Sequence, residues 1–183
     1  MKRISERHKI CLEGMCTEVN FSIFKGVSMK ILLAVDGSEC SDGAVKSVAD
    51  RPWPVGTIVK VFSVSELPFV PTTETWALPD SYYSQLEEAQ REKAKAAIDK
   101  SLKILRERAG MVLEITTDIK TGQAQETILH EADEWNADMI VIGSHGYRGF
   151  KRFLLGSVSQ AIASHAKCSV EIIRQRPLLE SEK

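Results

Sequence analysis

Two hydrophobic periods alternate along the chain. Apolar runs at 30–35, 57–65 and 139–142 are short and rich in Val and Ile, as expected of strands buried on both faces of a parallel sheet. Between them, apolar residues recur three and four positions apart. Ala44, Val45, Val48 and Ala49 predict a helix over 38–50, terminated by Arg51-Pro52-Trp53-Pro54. Leu86, Ala94, Ile98, Leu102 and Leu105 form a stripe beneath many charges; they predict a long helix that Asp80 or Ser81 caps and that runs to about Ala109, with Gly110 placed to end it. Residues 112–119 alternate as a partly exposed strand, and Thr121-Gly122 turns the chain into a helix over 124–135. A further helix opens at Ser157, with Val158, Ala161, Ile162 and Ala166 on one face, and 169–173 is the last strand. The alternation predicts an α/β fold, a doubly wound, five-stranded parallel sheet with helices on both faces. In such sheets ligands sit beyond the carboxyl ends of the strands, where the strand order reverses.

Two stretches stand outside the pattern. Residues 1–28 show no period, so the folded domain is expected to span 29–176, after a dispensable, disordered extension and before a tail at 177–183. A short hairpin or partner-binding arm is the alternative reading of the extension. Residues 66–79 carry three prolines with Phe69 and Trp76, and so long a connection without its own period reads as a functional lid or mobile loop.

Bulk properties narrow the function classes. The 183 residues suit one domain, and a net charge of −1 argues against a general nucleic-acid binder. No apolar run approaches the roughly 18 residues of a membrane span, and no apolar segment follows Lys2 and Arg3 as a secretory signal requires. Cys11, Cys16, Cys40 and Cys168 form no disulfide framework, so a cytoplasmic setting is expected. His8, Cys11 and Cys16 lack the fourth ligand and close cysteine pair of a structural zinc site.

The chemistry concentrates in 139–163. A buried strand stops at Gly143; a loop with Gly143, Gly146 and Gly149 follows; then Gly156-Ser157-Val158 opens a helix. Strand, glycine loop and helix start together aim backbone N–H groups and the positive end of a helix dipole at an anion, which points to a phosphate site. The spacing is neither that of a P-loop nor that of the dinucleotide fingerprint. Ser157 offers a hydroxyl and an N–H, and Val158 another N–H. His145 has no acidic partner by motif and reads as a packing or hydrogen-bonding residue, and Ser144 has no base to activate it, so no catalytic residue is assigned. Asp36 ends an apolar strand: it is either a turn residue or a carboxylate that accepts from a ribose and helps hold a divalent metal. Arg148, Lys151 and Arg152 fit equally a screen for phosphate charge and a solvent-facing loop.

Gly143, Gly146 and, after nine residues, Gly156-Ser157 resemble the nucleotide-binding signature of the ATP-binding branch of the universal stress protein family. The opening KILLAVDGSECSDGAV at 30–45 resembles that family's first strand and turn, and the similarity extends over 30–174. The resemblance implies an adenine-nucleotide α-hydrolase-like sheet of order 3-2-1-4-5, with ATP and Mg2+ or Mn2+ as cofactors. It implies that Asp36, Gly37 and Ser38 meet the ligand, with Asp36 also the metal contact. Val64 would meet adenine through its main chain, although Ser63 stands where many members have His. Gly122 would lie near the base, although Ala124 replaces a frequent Pro. Gly143, Ser144, His145, Gly146, Gly156, Ser157 and Val158 would hold phosphate and ribose. The implied protein is a homodimer paired through its last strand, a nucleotide-dependent regulator of a partner that the sequence does not name, with at most slow hydrolysis. An ATP-consuming enzyme of the related folds and a dimeric scaffold that binds no nucleotide are the alternatives.

Overall fold

The computed structural model describes residues 10–12, 15–17, 28–66, 80–108, 113–146 and 155–174. Near the N-terminus, β1 (Ile10–Leu12) and β2 (Met15–Thr17) pair antiparallel, with Cys11 opposite Cys16. The main sheet consists of β3 (Lys30–Ala34), β4 (Ile58–Ser65), β5 (Glu114–Thr121), β6 (Met139–Gly143) and β7 (Ser169–Ile173). All neighbouring pairs are parallel, in the order β5-β4-β3-β6-β7. Counted among the parallel strands alone, that is 3-2-1-4-5, and the order reverses between β3 and β6. The helices are α1 (Glu39–Ala49), α2 (Asp80–Arg108), α3 (Ala124–Trp135) and α4 (Ser157–His165). Gly110, Gly149, the basic cluster at 148–152, the connection 67–79 and the tail lie outside the described residues.

The runs of apolar residues in the central strands arise because both faces are covered. Ile31, Leu33 and Val35 point with Val59, Val61 and Val141 to the side packed by α1 and α2. Leu32, Ala34, Phe62, Ile140 and Ile142 point to the other side, where Ile128 of α3 and Ile162 of α4 close the layer. β5 runs to Thr121, two residues beyond the expected end, because its ladder with β4 continues to Ser65 opposite Thr121 and the Gly122 N–H donates to the Ser65 carbonyl at 3.2 Å.

Two features bear on the site. The 29 residues of α2 rise about 43 Å, far more than the 8-residue β4 it crosses, and the first buried residue along it is Ala94. The N-terminal turns of α2 therefore stand beyond the carboxyl edge of the sheet. On the opposite face α3 is anchored through Glu131, 4% exposed, which accepts from Lys60 Nζ and Lys120 Nζ, both at 2.6 Å. Burial pushes the Glu131 carboxyl up, but the hydrogen bonds from Lys120 and Lys60 outweigh it and hold the group below the ordinary carboxylate range. No helix among the described residues is long and apolar enough to cross a membrane.

Candidate functional site

Where the strand order reverses, the sheet opens into a cleft of about 1100 Å³. Asp36 and Gly37 enter it from the end of β3, Val64 and Glu66 from the end of β4, and Gly143, His145 and Gly146 from the end of β6. Gly156, Ser157 and Val158 form the wall at the start of α4. The two glycine- and acid-bearing motifs, remote in sequence, thus share one cavity.

The β3 side is a tight turn. Asp36 Oδ1 accepts from the Ser38 N–H at 3.0 Å, and the Asp36 N–H donates to Ser41 Oγ at 3.3 Å. Ser38 caps α1: its Oγ accepts from the Ser41 N–H at 3.2 Å. The same hydroxyl donates across the cleft floor to the His145 carbonyl at 3.3 Å, tying the two loops together. Asp36 itself is exposed, and a Cβ added at Gly146 would lie 2.8 Å from its Oδ2. Any side chain at 146 would collide with the carboxylate or displace it.

The β6 side is organised by Ser144, which is 2% exposed and lies behind the cleft wall. Its N–H donates to the Ile173 carbonyl of β7 at 2.8 Å, and its carbonyl accepts from the Gly156 N–H at 2.9 Å and from Ser159 Oγ at 3.0 Å. Ser144 Oγ sits 3.1 Å from His145 Nδ1. The residue therefore pins both ends of the glycine loop to the sheet. Gly143 lines the cleft and also seats a helix. A Cβ there would meet the Cys40 carbonyl carbon at 2.7 Å and the Ser41 nitrogen at 2.8 Å, so its bareness lets the first turn of α1 press on β6.

Three helices start at this edge of the sheet. α1 is capped by Ser38. α3 has Gln123 at its cap position without a side-chain bond, and Glu66 Oε1, just past the end of β4, supplies the acceptor instead, at 2.7 Å from the Ala124 N–H. α4 has Gly156 at its cap position, which brings no side chain to the first turn. The N–H groups of Ser157 and Val158 have no carbonyl one turn back inside the helix. They lie at the positive end of the helix dipole on the cleft wall, an arrangement suited to an anion.

Not every expected residue faces the cavity. Ser38 and Ser144 stand behind it as scaffold, and Gly122 lines a smaller adjoining space of about 420 Å³ that shares only Glu66 with the main cleft. No motif in the sequence marks Glu66 or Ser159, nor Gln90, Lys93 and Lys100 on the cleft side of α2, whose charges read as a solvated face. Lys100 Nζ donates to Asp42 Oδ2 at 2.6 Å and to the Gly37 carbonyl at 3.3 Å, and so is committed to holding the β3 turn. The position of Glu66 just past a strand's carboxyl end is the one sequence signal that could have flagged it. Among the described residues, no three His, Cys, Asp or Glu side chains gather to hold a metal ion.

The universal stress protein family pattern matches residues 28–174. A curated relative from Staphylococcus aureus (strain USA300) that bears a universal stress protein name is 32% identical over 152 residues, 81% of this chain and 85% of the relative. Universal stress protein UspA from Lactobacillus plantarum superposes with a TM-score of 0.66 at 23% identity, covering 82% of this chain and 100% of that one. A universal stress protein family member from Arabidopsis thaliana, solved with AMP bound, superposes with a TM-score of 0.55 at 15% identity over 85% of this chain and 99% of that one.

Proposed function

The chain belongs to the universal stress protein family, and from that premise we propose that it binds ATP in the cleft between β3 and β6 as a nucleotide-dependent regulator in the stress response. The observation that carries this reading is the start of α4. Its cap position supplies no side-chain acceptor of its own, and it shares with Asp36 and Gly146 a cavity large enough for an adenine nucleotide. Phosphate oxygens would take the N–H groups of Ser157 and Val158, and the exposed Asp36 carboxylate would accept from the ribose. The AMP held by the Arabidopsis relative lends support, as a ligand of that protein.

A divalent ion fits this reading only as part of the nucleotide. With Asp36 the one carboxylate among the described residues beside Gly146, Mg2+ or Mn2+ would take most of its ligands from phosphate and water. Such an ion would supply charge neutralisation to the phosphates. The cleft residues bind and orient, and hydrolysis is at most slow. The chain is proposed to act in the cytoplasm as a homodimer, because among the described residues β7 ends the sheet with one edge unpaired, which a second copy can continue.

Calorimetric titration with ATP and Mg2+ tests the reading. One nucleotide per chain should bind saturably, and Gly156→Val should abolish the heat while urea unfolding stays close to that of the parent. Absence of heat from the parent protein would favour the scaffold alternative.

A further inference from the structure

The order of strand ends fixes how an elongated ligand would lie. β6, β3 and β4 are consecutive neighbours in the sheet, so the start of α4, the Asp36 turn and the Val64–Glu66 end of β4 follow one another along the cleft. A nucleotide with its phosphates on α4 and its ribose over Asp36 carries its base to β4. Adjacent strands are about 4.8 Å apart, so two strand spacings match the reach from phosphate to base.

Glu66 waits at that end. It is exposed, lines the cleft, and is held in place by the Ala124 N–H on its Oε1 at 2.7 Å. A carboxylate at the positive end of a helix is electrostatically favoured there, and it carries several lone-pair sites, of which that N–H uses one. The base end of the cleft thus presents a fixed acceptor. An exocyclic amino group satisfies it, whereas a ring carbonyl at the same position would set oxygen against oxygen.

We propose that Glu66 is a specificity-determining residue that accepts a hydrogen bond from the 6-amino group of the purine, selecting 6-amino over 6-oxo bases. The inference rests on the nucleotide reading above and deepens it. The reverse variant is informative because Glu66→Gln retains a carbonyl oxygen for the Ala124 N–H and turns an NH2 donor toward the base.

The experiment is calorimetric titration of the full chain with AMP and with IMP, which differ at C6, amino against oxo, and in the N1 proton that accompanies the oxo group. Wild type should prefer AMP by at least about tenfold, since a site built around a hydrogen-bonding group rejects the analogue that leaves it unpaired. Glu66→Gln should bring the ratio to unity or invert it, and Glu66→Ala should bring it toward unity, with the affinity for inorganic pyrophosphate unchanged in both. An AMP preference that persists in both variants, or no preference in wild type, overturns the proposal while leaving nucleotide binding intact. Failure of wild type to bind either nucleotide overturns the functional reading and the inference with it.

Discussion

α1 and α4 begin at the same edge of the sheet, on opposite faces, and their first turns are treated in opposite ways. α1 is closed by its own sequence: Ser38 caps it, Asp36 braces Ser38, and bare Gly143 lets its backbone seat on β6. α4 begins at Gly156, whose carbonyl accepts from the Gln160 N–H at 2.9 Å, and the cap position itself offers no side chain to the first turn. α3 is intermediate, its first N–H met by an acid just past the end of β4. Orphan N–H groups at a helix start must find partners somewhere. The fold meets N–H groups at two of these starts from within, and the proposed nucleotide site is at the third.

The contrast can be broken from either side. The largest expected effect is on the closed side: Gly143→Ala forces a methyl into the α1 backbone and should lower unfolding stability by about 3 kcal/mol in a urea titration. Little loss would mean that α1 is not seated by that contact. On the open side, Gly156→Asp gives α4 the carboxylate cap it lacks. ATP affinity should fall about 100-fold, because like charges then compete for one site, while stability moves by no more than about 0.5 kcal/mol, Gly being itself a tolerated cap. Unchanged affinity would remove α4 from the site.

Smaller effects sharpen the role of the intermediate helix. Glu131→Gln leaves two lysines facing a neutral group and should destabilise by about 2 kcal/mol near pH 7, less than for a fully enclosed pair because Lys120 reaches solvent. The folded-state pKa of Glu131 is depressed, so its contribution is complete above the unfolded carboxylate value of about 4.3 and is lost as pH falls through the lower folded value. The stability gap between parent and variant should therefore close on acidification. A gap that widens in acid would contradict the ion-pair assignment. Smallest, Ser38→Ala should cost about 1 kcal/mol of stability, the usual worth of a cap, with a lesser effect on ATP affinity, in keeping with its place behind the cleft wall.

Much of this architecture was legible in the sequence because a sheet covered on both faces writes itself as short apolar runs, and amphipathic helices write themselves at a different period. The meeting of Asp36 with the 143–158 loop followed from the family resemblance and the switch point of the strand order. What could not be read was which surface each residue meets. Gly143 and Gly146 look alike in sequence, yet one admits a helix backbone and the other a carboxylate. The bond from the Ala124 N–H to Glu66 spans 58 positions, with no local pattern to announce it. Lys93 and Lys100 sit among charges indistinguishable from a solvated face until the length of α2 places them beside the cleft.

The central claim is that the first turn of α4 receives the phosphates of a nucleotide. Titration of uniformly 15N-labelled protein with ATP and Mg2+, followed by amide chemical shifts, reads those N–H groups directly. Ser157 and Val158 should show the largest shifts and saturate together, while the capped Ser41 amide of α1 stays near its starting position. Saturating shifts confined to other amides, with Ser157 and Val158 unmoved, would contradict the account.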